Sequence, residues 1–329
     1  MKKLMNTPET MLAESLSGFA QAHADIVIMG PDDKFVRRRT LAPGKPALIS
    51  GGGSGHEPMH LGFVGHGMLD AACPGQIFTS PTPDQILAAA EAVDTGAGCL
   101  FIVKNYEGDL MNFEMATEMA IGHVETLIVD DDIAIKPQAR GIGRRGVAGT
   151  LIVEKLLGAA AERTADLAYL KQLGTHVNAV TRSMGVALNS CTVPAAGRPN
   201  LILADDEMEV GVGIHGEPGR RRAKLATAQA IADELLDTIL RDLAPRPGAE
   251  LLLLVNGLGA TPAMELYLMV SCASQTLRDA GHVVSRYLVG NYVTSIDMYG
   301  CSLTVTLLDD ELRTLWDAPV HTPALRWGL

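Results

Sequence analysis

The first indication of chemistry in the sequence is a glycine-rich segment that ends in a histidine and a glutamate. Residues 51–58 read GGGSGHEP and directly follow an apolar, strand-like run at 46–50. Glycines after a strand allow backbone N–H groups to approach a ligand oxygen closely, as in anion-binding loops. The segment lacks the Lys-Ser/Thr ending of a Walker A loop and the spacing of a Rossmann fingerprint. It predicts either a ligand-binding loop that includes His56, or a tight turn in which Ser54 caps a helix.

A second group of charged residues follows another apolar run. CLFIVKN (99–105) is typical of a strand buried on both faces, and Lys104, Glu107 and Asp109 stand at or just beyond its end. In parallel α/β sheets, ligands bind outside the carboxyl ends of the strands. These side chains are therefore predicted to face a ligand, the alternative being a solvated turn in which Asp109 caps the next helix. The acidic run at 130–132 also follows a strand and predicts either a cation site or a solvated acidic turn.

A third candidate, His215, lies among small residues in GVGIHGEPG (211–219). The flanking glycines and Pro218 are expected to expose the imidazole and to restrict its backbone. A neutral imidazole nitrogen is a competent nucleophile toward an activated carbonyl, and Glu217 or another carboxylate is suited to setting its tautomer. His215 is therefore a candidate nucleophile, and the alternative is a structural histidine whose hydrogen bonds are satisfied within the fold.

The elements that position these residues alternate between strands and helices, which predicts parallel βαβ units. The pattern restarts after about residue 180. We therefore predict an α/β fold of two α/β domains, each a sheet flanked by helices. Residues 1–180 carry the glycine-rich loop and Asp109, and residues 181–329 carry His215. The predicted strands are 46–50, 99–105, 126–132, 251–260, 282–290 and 301–309, and the predicted helices are 8–24, 86–93, 112–121, 146–163, 226–240 and 262–280.

Composition excludes several classes of protein. The chain has 27 basic and 38 acidic residues, so its formal net charge is −11, and the only dense basic cluster is Arg220–Arg222. A nucleic-acid-binding protein needs a basic footprint, and a membrane span needs about 18 consecutive apolar residues; neither is present. The five cysteines are odd in number and show no CxxC spacing, which indicates reduced, buried thiols in a cytoplasmic protein and no zinc site.

Eight motifs in a fixed order give the chain a specific resemblance. Together they are similar to the sugar-binding K subunit of bacterial dihydroxyacetone kinase, from the first helix to the last residue. The stretches 165–182 and 220–250 match least well and are interpreted as loops or subunit-specific surface. The motifs are ISGGGSGHEPMH, CPGQIFTSPTPDQI, IVKNYEGDLMNFEMATE, VDDDIAI, GRRGVAGT, CTVPAAGRP, EVGVGIHGEPG and LWDAPVHTPALRWG.

The resemblance implies a role for each candidate residue. In that family, a histidine nitrogen binds the ketone carbon of dihydroxyacetone as a covalent hemiaminal, and the matching residue here is His215. Asp109 matches the residue that acts as general base, and His56 matches a residue beside the reacting hydroxyl. The matching substrate contacts and pocket residues are Gly53, Ser80, Lys104, Asp109 and His215.

The resemblance also implies the assembly in which the chain works. The family subunit is a homodimer, and this chain resembles the form in which a separate L subunit holds ADP and Mg²⁺ and is recharged by a phosphotransferase-system M subunit. No cofactor or metal is then expected in this chain. Two alternatives stay open: a related ketone-binding regulator that activates transcription, and a kinase subunit for a four-carbon ketose such as erythrulose. The presence of both His56 and Asp109 favours the kinase, because a sensor needs the covalent histidine but not the base.

Overall fold

A computed structural model describes residues 2–135, 143–163, 165–199 and 201–329 of the chain. Eight α-helices are present in these ranges, and none of them is both long and apolar enough to cross a membrane. The helices are α1 (Met11–Ala22), α2 (Pro83–Val93), α3 (Glu107–Met119), α4 (Gly149–Glu162), α5 (Leu167–Ala179), α6 (Ala228–Leu243), α7 (Ala263–Asp279) and α8 (Asp310–Asp317).

Fourteen strands in the same ranges form two six-stranded sheets and one short hairpin. The strands are β1 (Val27–Met29), β2 (Val36–Arg38), β3 (Ala47–Ser54), β4 (Ala71–Ile77), β5 (Cys99–Lys104), β6 (Val124–Val129), β7 (Thr181–Ala187), β8 (Glu207–Val210), β9 (Arg221–Lys224), β10 (Glu250–Gly257), β11 (Val283–Gly290), β12 (Gly300–Leu308), β13 (Val320–His321) and β14 (Arg326–Trp327).

The first sheet has the order β1-β2-β4-β3-β5-β6. Its four strands β4, β3, β5 and β6 are parallel, as the alternation of strands and helices predicts, and β1 and β2 add an antiparallel edge. Helices α2 and α3 cover an apolar core that includes Phe101 and Phe113. Because the central strands β3 and β5 are parallel neighbours, their carboxyl ends, which carry the predicted site residues, lie at one edge of the sheet.

The second sheet has the order β11-β10-β12-β7-β8-β9 and is mixed. Only β10 and β11 are parallel, and the other four pairings are antiparallel. The prediction of two α/β domains with helix-flanked sheets is confirmed. The expectation of parallel βαβ units holds for the first sheet, but in the second sheet only for β10-α7-β11. The reason is the placement of β12, which lies between β10 and β7 and runs antiparallel to both.

The two compact units of the chain do not follow the single boundary predicted at 180/181. Unit 1 comprises 1–129, 150–176 and 314–329, and unit 2 comprises 130–149 and 177–313. The C-terminal segment belongs to unit 1 because it is bonded there: the His321 N–H donates to the His66 carbonyl over 2.9 Å, and the Lys155 ammonium donates to the Leu315 carbonyl over 2.9 Å. The chain thus crosses between the units several times, which a search for one polar linker does not reveal.

Most predicted elements are confirmed, and the differences lie where the sequence was read as loop or turn. The stretch 165–182, interpreted as loop or surface, contains helix α5, whereas α6 within 220–250 confirms the helix predicted at 226–240. The glycines at 51–53, for which a turn was one prediction, lie inside strand β3. The five cysteines are free and buried, as predicted.

Two helix glycines of unit 1 make a matched test of the packing. A Cβ on Gly158 in α4 would lie 2.3 Å from the Gly67 carbonyl oxygen and 2.4 Å from the Met68 Cα, which are backbone atoms. Gly158→Ala is therefore expected to lower the free energy of unfolding by about 1–3 kcal/mol, as overpacking does. Gly18 in α1 has no heavy atom within 4 Å of its Cβ position. Gly18→Ala is expected to raise stability by up to about 1 kcal/mol through helix propensity.

Urea unfolding of both variants measures this pair of effects. A Gly158→Ala protein as stable as Gly18→Ala would contradict the close approach of α4 to the backbone at 67–68.

Candidate functional site

The end of β3 approaches two neighbouring segments so closely that it excludes side chains. A Cβ on Gly52 would lie 2.2 Å from the Lys104 Nζ, and a Cβ on Gly53 would lie 2.6 Å from the Thr79 backbone nitrogen. The glycines therefore let the lysine of β5 and the loop after β4 reach β3. Ser54 does not cap a helix, since its hydroxyl donates to the Gly75 carbonyl over 2.7 Å. The glycine-rich segment thus forms the place where Lys104 of β5 and the loop after β4 pack against β3.

Lys104 lies at the centre of this assembly and is 1% exposed. Its ammonium group contacts the Gly51 carbonyl oxygen at 3.0 Å, the His60 Nε2 at 3.1 Å and the Asp109 Oδ2 at 3.2 Å. An ammonium group has three N–H donors and no acceptor. All three donors are therefore used within the protein, and the position of Nζ is defined from three directions.

Asp109 lies in the first turn of α3 and is 3% exposed. Its Oδ2 accepts from Lys104, and its Oδ1 accepts a short hydrogen bond from the Ser80 hydroxyl. The N-cap of α3 is Tyr106, which makes no side-chain capping bond. The alternative of a solvated turn capped by Asp109 is therefore wrong: the carboxylate is buried, and both its oxygens are held by side chains.

His56 lies in the same region of unit 1. It is 1% exposed, and its ring stacks on Phe78 with centroids 5.0 Å apart and an interplanar angle of 18°. Stacking on a flat ring fixes the plane of the imidazole. The structure thus places Gly53, His56, Ser80, Lys104 and Asp109 in unit 1, and Ser80 and Lys104 both donate hydrogen bonds to Asp109.

Two further residues of this region were missed by sequence reasoning. His60 Nδ1 lies 2.5 Å from Glu154 Oε1, and both side chains are buried. Burial lowers the pKa of His60 well below its usual value, with Lys104 and His56 acting in the same direction. Burial raises the pKa of Glu154 to about 8, opposed by Lys104 and Ser50. A signal was present: a carboxylate in the apolar run TLIVEKLL of α4 needs a buried polar partner.

The histidine predicted as nucleophile lies in unit 2, on the loop after β8. His215 is half-buried, and its backbone N–H donates to Glu217 Oε2 over 2.9 Å. The Arg145 guanidinium donates to the other oxygen of Glu217 over 2.9 Å. The carboxylate that was predicted to set the imidazole tautomer therefore contacts the histidine backbone, and it braces the loop that carries the ring.

Arg145 links this loop to the acidic run after β6. It donates to Asp132 Oδ2 over 2.7 Å and to the Gly211 carbonyl over 2.9 Å. Asp131 accepts from the backbone N–H groups of Val147 and Gly149 over 2.8 and 2.7 Å. Burial raises the pKa of Asp132 to about 6, with Arg145 opposing it. The prediction of a solvated acidic turn is therefore wrong for Asp131 and Asp132.

The cation alternative for the acidic run finds no support in the described ranges, where no group of three His, Cys, Asp or Glu side chains is placed to hold a metal ion. The carboxylates of Asp131 and Asp132 are occupied by backbone donors and by Arg145, and Asp130 accepts from the Asn178 side-chain amide over 2.7 Å. The run therefore supports the start of α4 and the histidine loop.

The chemistry available in unit 1 is proton transfer. A buried carboxylate with two positioned side-chain donors is suited to accept a proton from a hydroxyl group delivered to it. Burial inside the protein makes the charges of Lys104 and Asp109 act more strongly than they would in water. Unit 2 separately offers a histidine on a loop that is braced by an arginine and a carboxylate.

Comparison with known proteins gives these observations a context. Residues 17–324 match the family described as the Dak1 domain. The chain is 47% identical to the dihydroxyacetone-binding subunit of the PEP-dependent dihydroxyacetone kinase of Escherichia coli K12, with all of both chains covered. It is 48% identical to the dihydroxyacetone-binding subunit of a PTS-dependent dihydroxyacetone kinase from Listeria innocua, over 94% of this chain and 95% of that one.

A solved structure agrees at the level of the fold. The dihydroxyacetone kinase of C. freundii superposes with a TM-score of 0.91 at 34% identity, over 99% of this chain and 60% of that chain. Two other relatives carry other functions: a dihydroxyacetone kinase operon co-activator, at 35% identity and a TM-score of 0.89, and a D-erythrulose kinase of Mycolicibacterium smegmatis, at 40% identity over 57% of its length.

Proposed function

The chain belongs to the Dak1 domain family, and we propose that it is the dihydroxyacetone-binding subunit of a dihydroxyacetone kinase that works with a partner subunit. The observation that carries this proposal is full-length identity of 47% to such a subunit. It is supported by the buried Asp109 carboxylate, held by Lys104 and Ser80 beyond the carboxyl end of β5. The reaction is transfer of a phosphoryl group to a hydroxyl of the ketone.

In the proposed mechanism, His215 binds the ketone covalently. A ring nitrogen forms a bond to the carbonyl carbon while the C=O π bond breaks. The carbonyl oxygen gains a proton and the ring loses one, so the hemiaminal has the same net charge as the separate reactants. Dihydroxyacetone offers few atoms for non-covalent contact, and a reversible bond adds affinity. It also rejects glycerol, which has no carbonyl group.

Asp109 then acts as general base. It accepts the proton of a terminal hydroxyl as that oxygen attacks the phosphorus atom of the donor. Lys104 and Ser80 hold the two carboxylate oxygens, and Gly53, His56, Lys104 and Asp109 contribute contacts to the bound ketone. Positioned acid–base groups of this kind typically contribute on the order of 10²–10⁴-fold to a rate.

The phosphoryl donor is proposed to come from a separate L-type subunit. That subunit would hold ADP and Mg²⁺ and would be recharged from phosphoenolpyruvate through a phosphotransferase-system M-type subunit. Phosphoryl transfer requires a metal ion and cationic groups around the phosphates. The E. coli and L. innocua relatives, described as PEP-dependent and PTS-dependent subunits, support this arrangement.

Dependence on the partner is the test of the proposed function. The purified chain with dihydroxyacetone, ATP and Mg²⁺ is expected to form no dihydroxyacetone phosphate. Addition of the L-type subunit and the phosphoenolpyruvate-driven phosphotransfer proteins is expected to start turnover, measured by reduction of the product with a coupled dehydrogenase. Clear turnover by the isolated, uncontaminated chain would contradict the proposal.

Two observations favour a dihydroxyacetone kinase subunit over a co-activator and over an erythrulose kinase. A co-activator needs to bind the ketone but has no use for a general base, whereas Asp109 here is buried and held by two side chains. The erythrulose kinase is less similar than the dihydroxyacetone-binding subunits, at 40% against 47–48% identity. A substrate panel of dihydroxyacetone and both erythrulose enantiomers, assayed with the partner, distinguishes the ketoses.

We also propose a cytoplasmic homodimer. Five free, buried cysteines support a reducing compartment. In unit 2, large apolar side chains of the adjoining α7 and β11 are exposed, which supports an interface with a second copy. These side chains are Met264, Tyr267, Leu268, Val283 and Tyr287. Light scattering of the purified chain measures its oligomeric state.

A further inference from the structure

Behind Asp109, a chain of buried polar groups continues away from the proposed substrate. Asp109 Oδ2 lies 3.2 Å from Lys104 Nζ, Lys104 Nζ lies 3.1 Å from His60 Nε2, and His60 Nδ1 lies 2.5 Å from Glu154 Oε1. Every side chain in this series is at least 95% buried. Nothing in the proposed mechanism uses His60 or Glu154.

Counting donors and acceptors fixes the direction of each hydrogen bond. The Lys104 ammonium donates to the Gly51 carbonyl, to Asp109 and to His60, so His60 Nε2 must be an acceptor without a proton. A neutral imidazole then carries its single proton on Nδ1 and donates it to Glu154. The low pKa of His60, caused by burial, agrees with a neutral ring. By accepting from Nδ1–H, Glu154 thus favours the one tautomer of His60 whose Nε2 can accept a hydrogen bond from Lys104.

Glu154 lies at a position where a carboxyl group is energetically unfavourable. It lies in the middle of α4 and is 0% exposed, and burying a carboxyl group is unfavourable unless it is well hydrogen-bonded. The groups that face it are His60 from the segment after β3, Ser50 from β3 and, more distantly, Lys104 from β5. Strongly perturbed buried groups cluster at functional sites, although structural networks also perturb pKa values.

Glu162 on the same helix is a carboxylate with a structural role, and its surroundings differ from those of Glu154. It is bonded to Arg38 at 2.6 Å and lies 4.0 Å from Lys45, and these cations also pair with Asp70. Within the part of the chain that the structure describes, no hydrogen bond or ion pair joins this cluster to Asp109. Among the described residues, the side chain in direct contact with Glu154 Oε1 is the neutral His60 and not a cation.

We propose that His60 and Glu154 are positioning residues for Asp109: Glu154 sets the tautomer of His60, His60 holds the third N–H of Lys104, and Lys104 holds the carboxylate that receives the proton. This inference rests on the proposed function, in which Asp109 is the base. His60 and Glu154 do not contact the ketone, so their role is in the rate of proton transfer and not in ketone binding.

Two substitutions of His60 test the contact with Lys104. An asparagine places its amide near Nδ1 and retains the bond to Glu154 only, whereas a glutamine extends its amide to the position of Nε2 and presents an oxygen to Lys104. His60→Asn is expected to lower kcat with the partner by on the order of 10²-fold, as a misplaced reacting group does. His60→Gln is expected to retain more than a tenth of wild-type kcat. Affinity for dihydroxyacetone is expected to change less than threefold in both.

Glu154→Gln tests the far end of the series, with Glu162→Gln as the matched control. The glutamine still offers an oxygen to His60 but cannot ionise, whereas burial raises the pKa of Glu154 to about 8. Above that pH only the wild type gains a negative charge behind Asp109, which favours movement of a proton from the ketone hydroxyl toward Asp109. The ratio of wild-type to Glu154→Gln kcat is therefore expected to rise between pH 7 and 9. The ratio for Glu162→Gln is expected to stay flat.

The tautomer of His60 gives a readout that needs no activity. Nitrogen-15 NMR of histidine-labelled protein, with the His60 signal identified by its loss in His60→Asn, is expected to show a neutral ring protonated at Nδ1. A ring protonated at Nε2, or kcat of His60→Asn within threefold of wild type, would overturn the inference. Failure of the proposed function is distinguishable, because the wild type would then show no turnover with the partner.

Discussion

Replacing Asp109 by asparagine is expected to lower turnover with the partner subunit by on the order of 10²–10⁴-fold, the usual contribution of a positioned general base. The substitution is nearly isosteric, and the amide can still accept from Lys104 or Ser80 through its oxygen. It removes the ability to take up a proton, together with the negative charge paired with Lys104 and one of the two acceptor oxygens. Ketone binding is expected to persist, because His215 and the segment at β3 are unchanged. Steady-state kcat and equilibrium binding of dihydroxyacetone separate the two effects.

Glu107 offers a matched control for this substitution. It lies in the same first turn of α3 but is exposed, so Glu107→Gln removes one negative charge without touching the buried cluster. Its turnover is expected to stay within twofold to threefold of wild type. An Asp109→Asn enzyme that turns over within about threefold of wild type would remove Asp109 from the mechanism and favour the regulatory alternative.

Replacing His215 by alanine is expected to lower kcat/KM by at least on the order of 10²-fold, because a covalently held and oriented ketone gains a large effective concentration at the base. The fold is expected to survive. Glu217 accepts from the backbone N–H of residue 215 and from the Arg145 guanidinium. These hydrogen bonds hold the loop in place and do not involve the imidazole ring. Thermal unfolding checks that the variant is folded.

Discrimination against glycerol gives a second readout of the same variant. The wild type is expected to ignore glycerol as a competitor, since glycerol has no carbonyl carbon to attack. The alanine variant binds by non-covalent contacts alone, so its preference for the ketone is expected to fall. His123→Ala, at a histidine whose side chain is 70% exposed in unit 1, is the control and is expected to behave as wild type.

The parts of the site that lie beyond strand ends were predictable from sequence. Lys104 and Asp109 follow an apolar run, and the rule that ligands bind at the carboxyl ends of parallel strands places them together before any coordinates are known. The segment at 51–56 was predictable for the same reason. The resemblance to a known family added the roles of His215 and Ser80, which spacing alone leaves open.

The partners that hold these residues were not predictable, because they come from distant positions in the chain. Glu154 and His60 are 94 residues apart, and Arg145 and Glu217 are 72 residues apart. A charged residue in an apolar helix signals that some partner exists, but not which one. The mixed second sheet was missed for a related reason. Alternating strands and helices predict parallel pairing, whereas the position of β12 between β10 and β7 depends on contacts between distant parts of the chain.

Carbon-13 NMR of dihydroxyacetone labelled at the ketone carbon tests the central claim, covalent capture of the ketone by His215, most directly. On binding to the wild-type chain, the carbonyl signal is expected to disappear and a signal of an sp³ carbon bonded to nitrogen and oxygen to replace it. The His215→Ala chain is expected to leave the carbonyl signal in place. A bound ketone that keeps its carbonyl signal in the wild type would contradict covalent capture. The same sp³ signal in the alanine variant would move the nucleophile elsewhere, with His56 as the next residue to replace.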